Sequence, residues 1–278
     1  MRAIKTLFLL TALTLLLVLG GDAIAGQQGM TYGLIIAVAM NGFAYFFSDK
    51  IALRSSGAQP VTREQLPRLY EVMERLAGKA QLPMPKLYLI PQPAPNAFAT
   101  GRNPSHASVA VTAGLMELMS DDELEGVIAH ELSHVRNYDI LITSIAATLA
   151  GAITWIAHMG QWAMIFGGYG NSRDRRGGGL AALLMILVAP IAALLIQLGI
   201  SRQREFSADA SGVKMVGHPY GLISALEKLG AYNKRIPMDV PPTTASLFIV
   251  APLIGARCFR VYSARIRRSP SGSRSCAT

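Results

Sequence analysis

"VIAHELSHVRNYDILITSIAATLAG" (residues 127–151) opens as a charged, histidine-bearing segment and passes directly into apolar sequence. His130 and His134 stand four apart, so on a helix they share one face, one turn above the other. Read continuously, the stretch predicts a single helix that carries two histidines and a glutamate to the mouth of a membrane segment.

The surrounding composition supports the membrane half of that reading. Of 278 residues, 51% are hydrophobic and only 15% charged, against about a quarter charged in ordinary soluble domains. The mean hydropathy is +0.34. The deficit of charge is local: residues 6–21, 23–48, 140–172 and 177–201 hold no Asp, Glu, Lys or Arg. A bilayer core needs about 20 mostly apolar residues, with roughly 17–25 as the working range. Three of the runs clear that length and the first sits at its lower edge. The first run also reads as a secretory signal, since Arg2 and Lys5 precede its apolar core and Ala23-Ile24-Ala25 resembles a small-residue cleavage site. Either way residue 26 emerges on the outer side.

Basic residues near the span ends set the orientation. Arg2 and Lys5 lie before the first span, and Lys50 and Arg54 follow the second, which predicts that the N-terminus and the region from Lys50 onward face the cytoplasm. The loop "GGYGNSRDRRGGG" (167–179) resists this count, because it carries Arg173, Arg175 and Arg176 yet falls on the outer side. Two readings remain open: an outer loop that tolerates three arginines, or a hairpin over 140–201 that does not fully cross.

The net charge of +9 is concentrated in the tail, where Arg257, Arg260, Arg265, Arg267, Arg268 and Arg274 stand without an acid. With no aromatic interleaving and no binding module, the tail is a poor nucleic-acid signal, and no nucleic-acid partner is expected. An anionic membrane face suits it better. Cys258 and Cys276 have neither zinc-site spacing nor the pattern of a disulfide framework, which suits a reducing compartment.

Between the spans and the histidines, "PRLYEVMERLAGKA" predicts an amphipathic helix with Leu69, Val72, Met73, Leu76 and Ala80 on one face, closed by Gly78 and Pro83. "KLYLI" (86–90), "NAFAT" (96–100) and "ASVAVT" (107–112) are short strand candidates. Ser120, three residues before Glu123, forms a capping box, and Asp121 and Asp122 favour the positive end of a helix dipole. A helix therefore starts near 121 and carries the histidines.

His130-Glu131-Leu132-Ser133-His134 is the HExxH pattern. Two imidazoles one turn apart can reach one zinc ion, and the intervening glutamate lies about 100° round, able to hold a water without ligating the metal. A catalytic zinc needs a third protein ligand and an open position. The acids after His134 are Asp139, Asp174, Glu205, Asp209, Glu227 and Asp239. On a continuous helix Asp139 points away from the metal face, and Asp174 belongs to the arginine loop. "SRQREFSADASGVKMVG" places Glu205 and Asp209 one turn apart where the fourth apolar run emerges. Glu205 then reads as ligand, and Asp209 as the acceptor for an imidazole N–H. The alternative is a solvated helix end in which Arg202 and Arg204 pair with these acids. An even number of crossings, or a hairpin, returns Glu205 to the side of His130.

Together, "VIAHELSHVRNYD" and "SRQREFSADA" resemble the HtpX membrane-bound heat-shock zinc metalloproteases, relatives of the CAAX prenyl endoproteases. "PNAFATG", "VAVTAGLM" and "ASLFIVAPL" match as well, so the resemblance runs to about residue 255. It implies a mainly α membrane protein: transmembrane helices plus a zincin-like α+β catalytic domain with a small sheet and the HExxH helix. It implies one Zn2+ per chain held by His130, His134 and Glu205, with Glu131 as catalytic base. It also implies a bacterial inner-membrane, multi-pass protease whose site faces the cytoplasm, acting on unfolded or misfolded membrane-protein polypeptides. The expected organisation is 1–50 two N-terminal transmembrane helices, 51–139 the cytoplasmic catalytic region with the HExxH helix, 140–201 two membrane helices or a hairpin, 202–255 the segment bearing the glutamate ligand, and 256–278 a basic tail. The tail departs from the family. Members continue after "LFIVAPL" with a Thr-His-Pro segment, and here the chain reads "IGARCFRVYSARIRRSPSGSRSCAT".

For substrate, backbone pairing along an exposed strand edge is expected, with Val109 and Val111 of "ASVAVT" on that edge and Asn96, Ala97 and Phe98 of "NAFAT" as the opposite lip. An ordinary structural sheet is the competing reading of both stretches. Two functional alternatives stand beside the quality-control protease: a site-specific processing protease and a non-catalytic metal-binding membrane scaffold. Outside the motif, His158 beside Trp155 and Trp162 reads as interfacial, His106 and His218 as loop residues, and Met116, Met119 and Met215 as packing. The oligomeric state has no signature in the sequence.

Overall fold

The computed structural model describes residues 2–151 and 202–233, together with 235, 238, 240 and 244–249. The end of the third apolar run, the arginine loop, His158, the fourth run and the tail from 250 lie outside the described residues.

The chain starts with α1 (Arg2–Ser55), which folds back on itself at Gly26. There φ is 59°, a left-handed value that favours glycine because it has no Cβ. The two arms run side by side: Asn41 Nδ2 donates to Leu10 O at 3.2 Å and to Thr14 Oγ1 at 2.9 Å. A side-chain amide bonding a partner arm is a common way to join helices where water is scarce. The second arm, Gly26–Ser55, is long and apolar enough to cross a membrane, with mean hydropathy 1.5. Its outer face stays bare, with Ile35, Val38, Phe43 and Phe46 exposed.

Next come β1 (Gln59–Pro60), α2 (Pro67–Ala80), β2 (Lys86–Ile90), β3 (Ala97–Gly101) and β4 (Ala107–Thr112). The short β1 falls in a stretch that reads as linker. In α2 the buried stripe is Leu69, Val72, Met73, Leu76 and Ala77, so Ala77 takes the deep position that periodicity assigns to Ala80. The strands form one mixed sheet in the order β1-β2-β4-β3. β2 and β4 are parallel, with Leu87 opposite Val109, while β3 and β4 are antiparallel, with Ala97 opposite Val111.

This order corrects the expected substrate edge. β4 is an interior strand, hydrogen-bonded on both sides, and among the described residues β3 ends the sheet on that side. Val109 and Val111 are fully buried, as are Asn96, Ala97 and Phe98. Both faces of the sheet are covered, which is why neither strand alternates between apolar and polar. Ala97, Ala99, Val109 and Val111 pack with Leu69, Leu76 and Leu132 on one face. On the other, Phe98 and Ala110 pack with Ala52, Leu53 and Phe248.

After α3 (Ala113–Leu118) comes α4 (Asp121–Arg136). Its capping box is complete: the Ser120 side chain accepts from the Glu123 N–H, and the Glu123 carboxylate accepts from the Ser120 N–H. This helix is the hub, packed against α2, β3, α6 (Arg202–Val216) and α7 (Tyr220–Asn233). Such all-round contact explains its weak amphipathicity and its run of buried residues from Gly126 to Ser133.

The continuous helix expected through 127–151 is broken. Asn137 caps α4, and Tyr138 adopts φ 57°, after which α5 (Asp139–Gly151) begins. α5 packs on α1 through Ile145, Ala146 and Leu149 against Leu13 and Ala44.

Candidate active site

α4 supplies His130, Glu131 and His134, and the first turn of α6 supplies Glu205. The structure brings the two imidazoles and the carboxylate to one point. His130 Nε2 and His134 Nε2 are 3.2 Å apart, and Glu205 Oε2 lies 3.5 Å from the first and 3.6 Å from the second. Donors bonded to one tetrahedral zinc at roughly 2.0–2.1 Å stand about 3.3 Å from each other. The three measured separations fit that triangle, and neutral imidazole with carboxylate is a donor set zinc accepts. Glu205 is half exposed while His130 is buried, so the open side of the triangle faces solvent.

The outer nitrogens are backed by acids. His130 Nδ1 pairs with Asp209 Oδ1 at 2.8 Å. His134 Nδ1 faces Asp139 Oδ2 at 3.5 Å, which corrects the expectation that Asp139 points away: the break at Asn137–Tyr138 swings it back. Arg204 and Glu205 are neighbours on α6, and the Arg204 guanidinium acts electrostatically on both Asp139 and Glu205. Arg204, one of the two arginines in the competing reading of 202–209, is part-buried and lies near Asp139 as well as Glu205, while Glu205 also meets both imidazoles.

Charge follows from this layout. Burial works against protonating His130, but Asp209, Glu205 and Glu131 outweigh it and lift its pKa to about 9. Burial likewise opposes protonation of His134, and Asp139, Glu205 and Glu131 raise it to about 10. Glu205 is pushed up by burial but held well below the usual carboxylate range by the two imidazoles. These directions describe an anionic pocket that favours a cation at the imidazoles. Glu131 is fully enclosed, and burial lifts its carboxyl above the ordinary range against the pull of both histidines and of the Ala99 N–H. A raised carboxyl beside an open ligand position is suited to taking and returning a proton.

The Ala99 N–H belongs to the outer side of β3. Antiparallel pairing alternates the direction of the backbone groups. The Thr112 N–H donates to Asn96 O across the ladder, while Ala97 O faces outward and accepts from the Ile249 N–H at 3.1 Å. Neither this edge nor Asp139 was legible as part of the site. The first requires the strand order, and the second has only the weak local hint of Asn137, a residue that often ends helices but does not force the end.

The profile of Peptidase family M48 matches residues 63–259. A protein from Desulfatibacillum aliphaticivorans called "Protease HtpX homolog" is 54% identical over 94% of this chain and 84% of its own length. Another of that name, from Desulforapulum autotrophicum, is 49% identical over 97% of this chain and 90% of its own. Among solved structures, S. mikatae Ste24p aligns over 88% of this chain and 62% of that one, at 22% identity and TM-score 0.49.

Proposed function

This chain belongs to peptidase family M48, and on that premise we propose that it is a membrane-embedded, zinc-dependent endopeptidase that cleaves misfolded or damaged membrane proteins on the cytoplasmic side of a bacterial inner membrane. The observation that carries the reading is the donor triangle of His130, His134 and Glu205, with edges of 3.2, 3.5 and 3.6 Å.

His130, His134 and Glu205 would hold the zinc. When bound, the ion polarises a scissile carbonyl and acidifies a water at the open position. Glu131 takes the proton of the attacking water on its carboxylate and returns it to the nitrogen of the departing amine. Asp209 holds His130 so that Nε2 points into the site. The enclosure of Glu131 excludes bulk water from the proton-transfer path.

Substrate pairs as an added strand with the outer edge of β3. Ile249 occupies Ala97 O and Glu131 faces the Ala99 N–H, so the outward backbone groups proposed for substrate are those beyond them, from Ala99 O to Gly101. Backbone pairing reads little side-chain identity, which suits a protease of damaged chains. The membrane placement rests on the bare apolar arm of α1 and on its aromatic end, where Lys50 lies over Phe47 and Arg102 over Phe46. Aromatic rings with basic neighbours belong at a membrane–water boundary, and basic residues favour its cytoplasmic side.

The test is zinc content and proteolysis in detergent for the parent and for Glu205→Ala, offered several unrelated unfolded membrane polypeptides. The parent should carry one zinc per chain, cleave all of them, and lose activity to a chelator and regain it with zinc. Glu205→Ala should lose metal and cleavage together. Full metal content and turnover in that variant would overturn the reading, and cleavage of a single substrate at one site would point to a processing protease.

A further inference from the structure

We propose that Asp139 is a positioning residue of the metal site, holding His134 as Asp209 holds His130. This rests on the zinc-peptidase reading above. A histidine that gives Nε2 to a metal leaves an Nδ1–H on the far side of its ring, and in a buried setting that proton needs an acceptor. His130 finds one on α6, where Asp209 Oδ1 is 2.8 Å away. Among the described residues the carboxylate facing His134 Nδ1 is Asp139, whose Oδ2 stands 3.5 Å away as a buried acceptor with no hydrogen-bond partner, in ion-pair rather than hydrogen-bond geometry.

Asp139 is itself 3% exposed. A carboxylate is kept at such depth only where compensating charge or hydrogen-bond donors meet it. Two groups supply charge here: the His134 imidazole in ion-pair contact, and, more remotely, the Arg204 guanidinium that acts on it electrostatically from α6.

The backbone is arranged to deliver this contact. Continued as a helix from His134, position 139 would lie about 140° round the axis, off the metal face. Instead the Asn137 N–H closes α4 on Ser133 O and Val135 O. Tyr138 then takes φ 57°, a conformation disfavoured for a bulky residue and kept where the surroundings demand it. α5 restarts at Asp139, so its first residue is the one that braces the metal helix. The same α5 packs on the apolar arms of α1 through Ile145 and Leu149. The His134 side of the site is thus tied to an apolar helix pair, and the His130 side to α6.

The experiment compares parent, Asp139→Ala and Asp139→Asn in detergent. It measures zinc affinity by chelator competition, thermal melting of the metal-free proteins, and steady-state kinetics at saturating zinc. Asp139→Ala should bind zinc 10–100-fold more weakly and lose kcat with KM unchanged. Asp139→Asn, whose amide oxygen still accepts the Nδ1–H, should recover most of the affinity. An Asp139→Ala affinity within twofold of the parent would overturn the proposal, as would a lowered metal-free Tm with unchanged affinity, the mark of a merely structural role. Should the alanine variant fail to fold, 15N spectra of histidine-labelled, zinc-loaded parent decide the matter. His134 must appear as the Nδ1–H tautomer, and an Nε2–H tautomer would refute the assignment. A parent that binds no zinc would instead remove the peptidase reading itself.

Discussion

The Ala99 N–H, on the outer side of β3, faces the carboxylate of Glu131 on α4 and favours its charged form. The strand proposed to align substrate and the group proposed to move the proton thus meet at one backbone amide. Glu131→Gln keeps the volume and an oxygen for Ala99 but cannot accept a proton from water. Single-turnover cleavage should fall by about 10²–10⁴-fold while zinc content stays at the parent level. Loss of zinc in this variant would mean that Glu131 is a ligand rather than a base.

Glu123 closes the capping box and also accepts from Ser224 at 2.5 Å and Lys228 at 2.7 Å, fastening α7 to the start of α4. Burial pushes its carboxyl up, but Lys228, Ser224 and Ser120 outweigh that and hold it near a pKa of about 2. A depressed carboxylate contributes stability that is complete above its ordinary pKa, here 4.5, and disappears as pH falls from there toward about 2. Allowing for solvent screening, the contribution is about 1–3 kcal/mol. Glu123→Gln preserves the capping box and removes the charge. Its Tm should lie below that of the parent at pH 6, with the gap narrowing below pH 4.5 and closing toward about 2, and a gap independent of pH would contradict the assignment.

How much of this was readable in advance depends on how local each feature is. The capping box, the HExxH face and the three strands rest on neighbours within a turn or a few residues, and their chemistry is visible in the letters. The pairing of Glu205 with His130 crosses 75 positions, and only the rarity of acids after His134 narrows the search. Strand order was not legible, because β3 and β4 are both apolar and buried on two faces, so nothing in their side chains marks which one ends the sheet. Asp139 was misplaced for a related reason. Asn137 and Tyr138 are tolerable inside a helix, and it is packing of the apolar helix α5 on α1, a tertiary effect, that accompanies the break.

Close approach of α7 to α4 depends on a missing side chain. A Cβ on Gly126 would sit 2.5 Å from Leu222 N and 2.9 Å from Gly221 C, all backbone. Neither helix can yield there without moving whole. Gly126→Ala should therefore cost about 1–3 kcal/mol, although alanine is the better helix former by about 1 kcal/mol. Gly230, also on α7, meets nothing within 4 Å, so Gly230→Ala should be neutral or raise Tm. Equal effects of the two substitutions in thermal melting would show that packing at Gly126 is looser than the geometry requires.

Thr100 Oγ1 and Ser144 Oγ lie 2.7 Å apart, both fully buried, and tie β3 to the apolar helix α5. Either hydroxyl alone would be stranded without water. Ser144→Ala or Thr100→Val should each cost about 1–3 kcal/mol, because an unsatisfied buried polar group carries its full desolvation penalty, whereas removing both should be nearly neutral. The double-mutant cycle therefore predicts strong non-additivity, with the double variant more stable than either single. The same bond bears on substrate alignment, since Thr100 sits between Ala99 and Gly101 on the open edge. Hydrogen exchange at the amides of Ala99 and Gly101 should quicken in the single variants and return toward the parent rate in the double. Additive losses of stability, with exchange at the edge unchanged, would mean that the hydroxyl pair is incidental and that apolar packing alone holds β3 against α5.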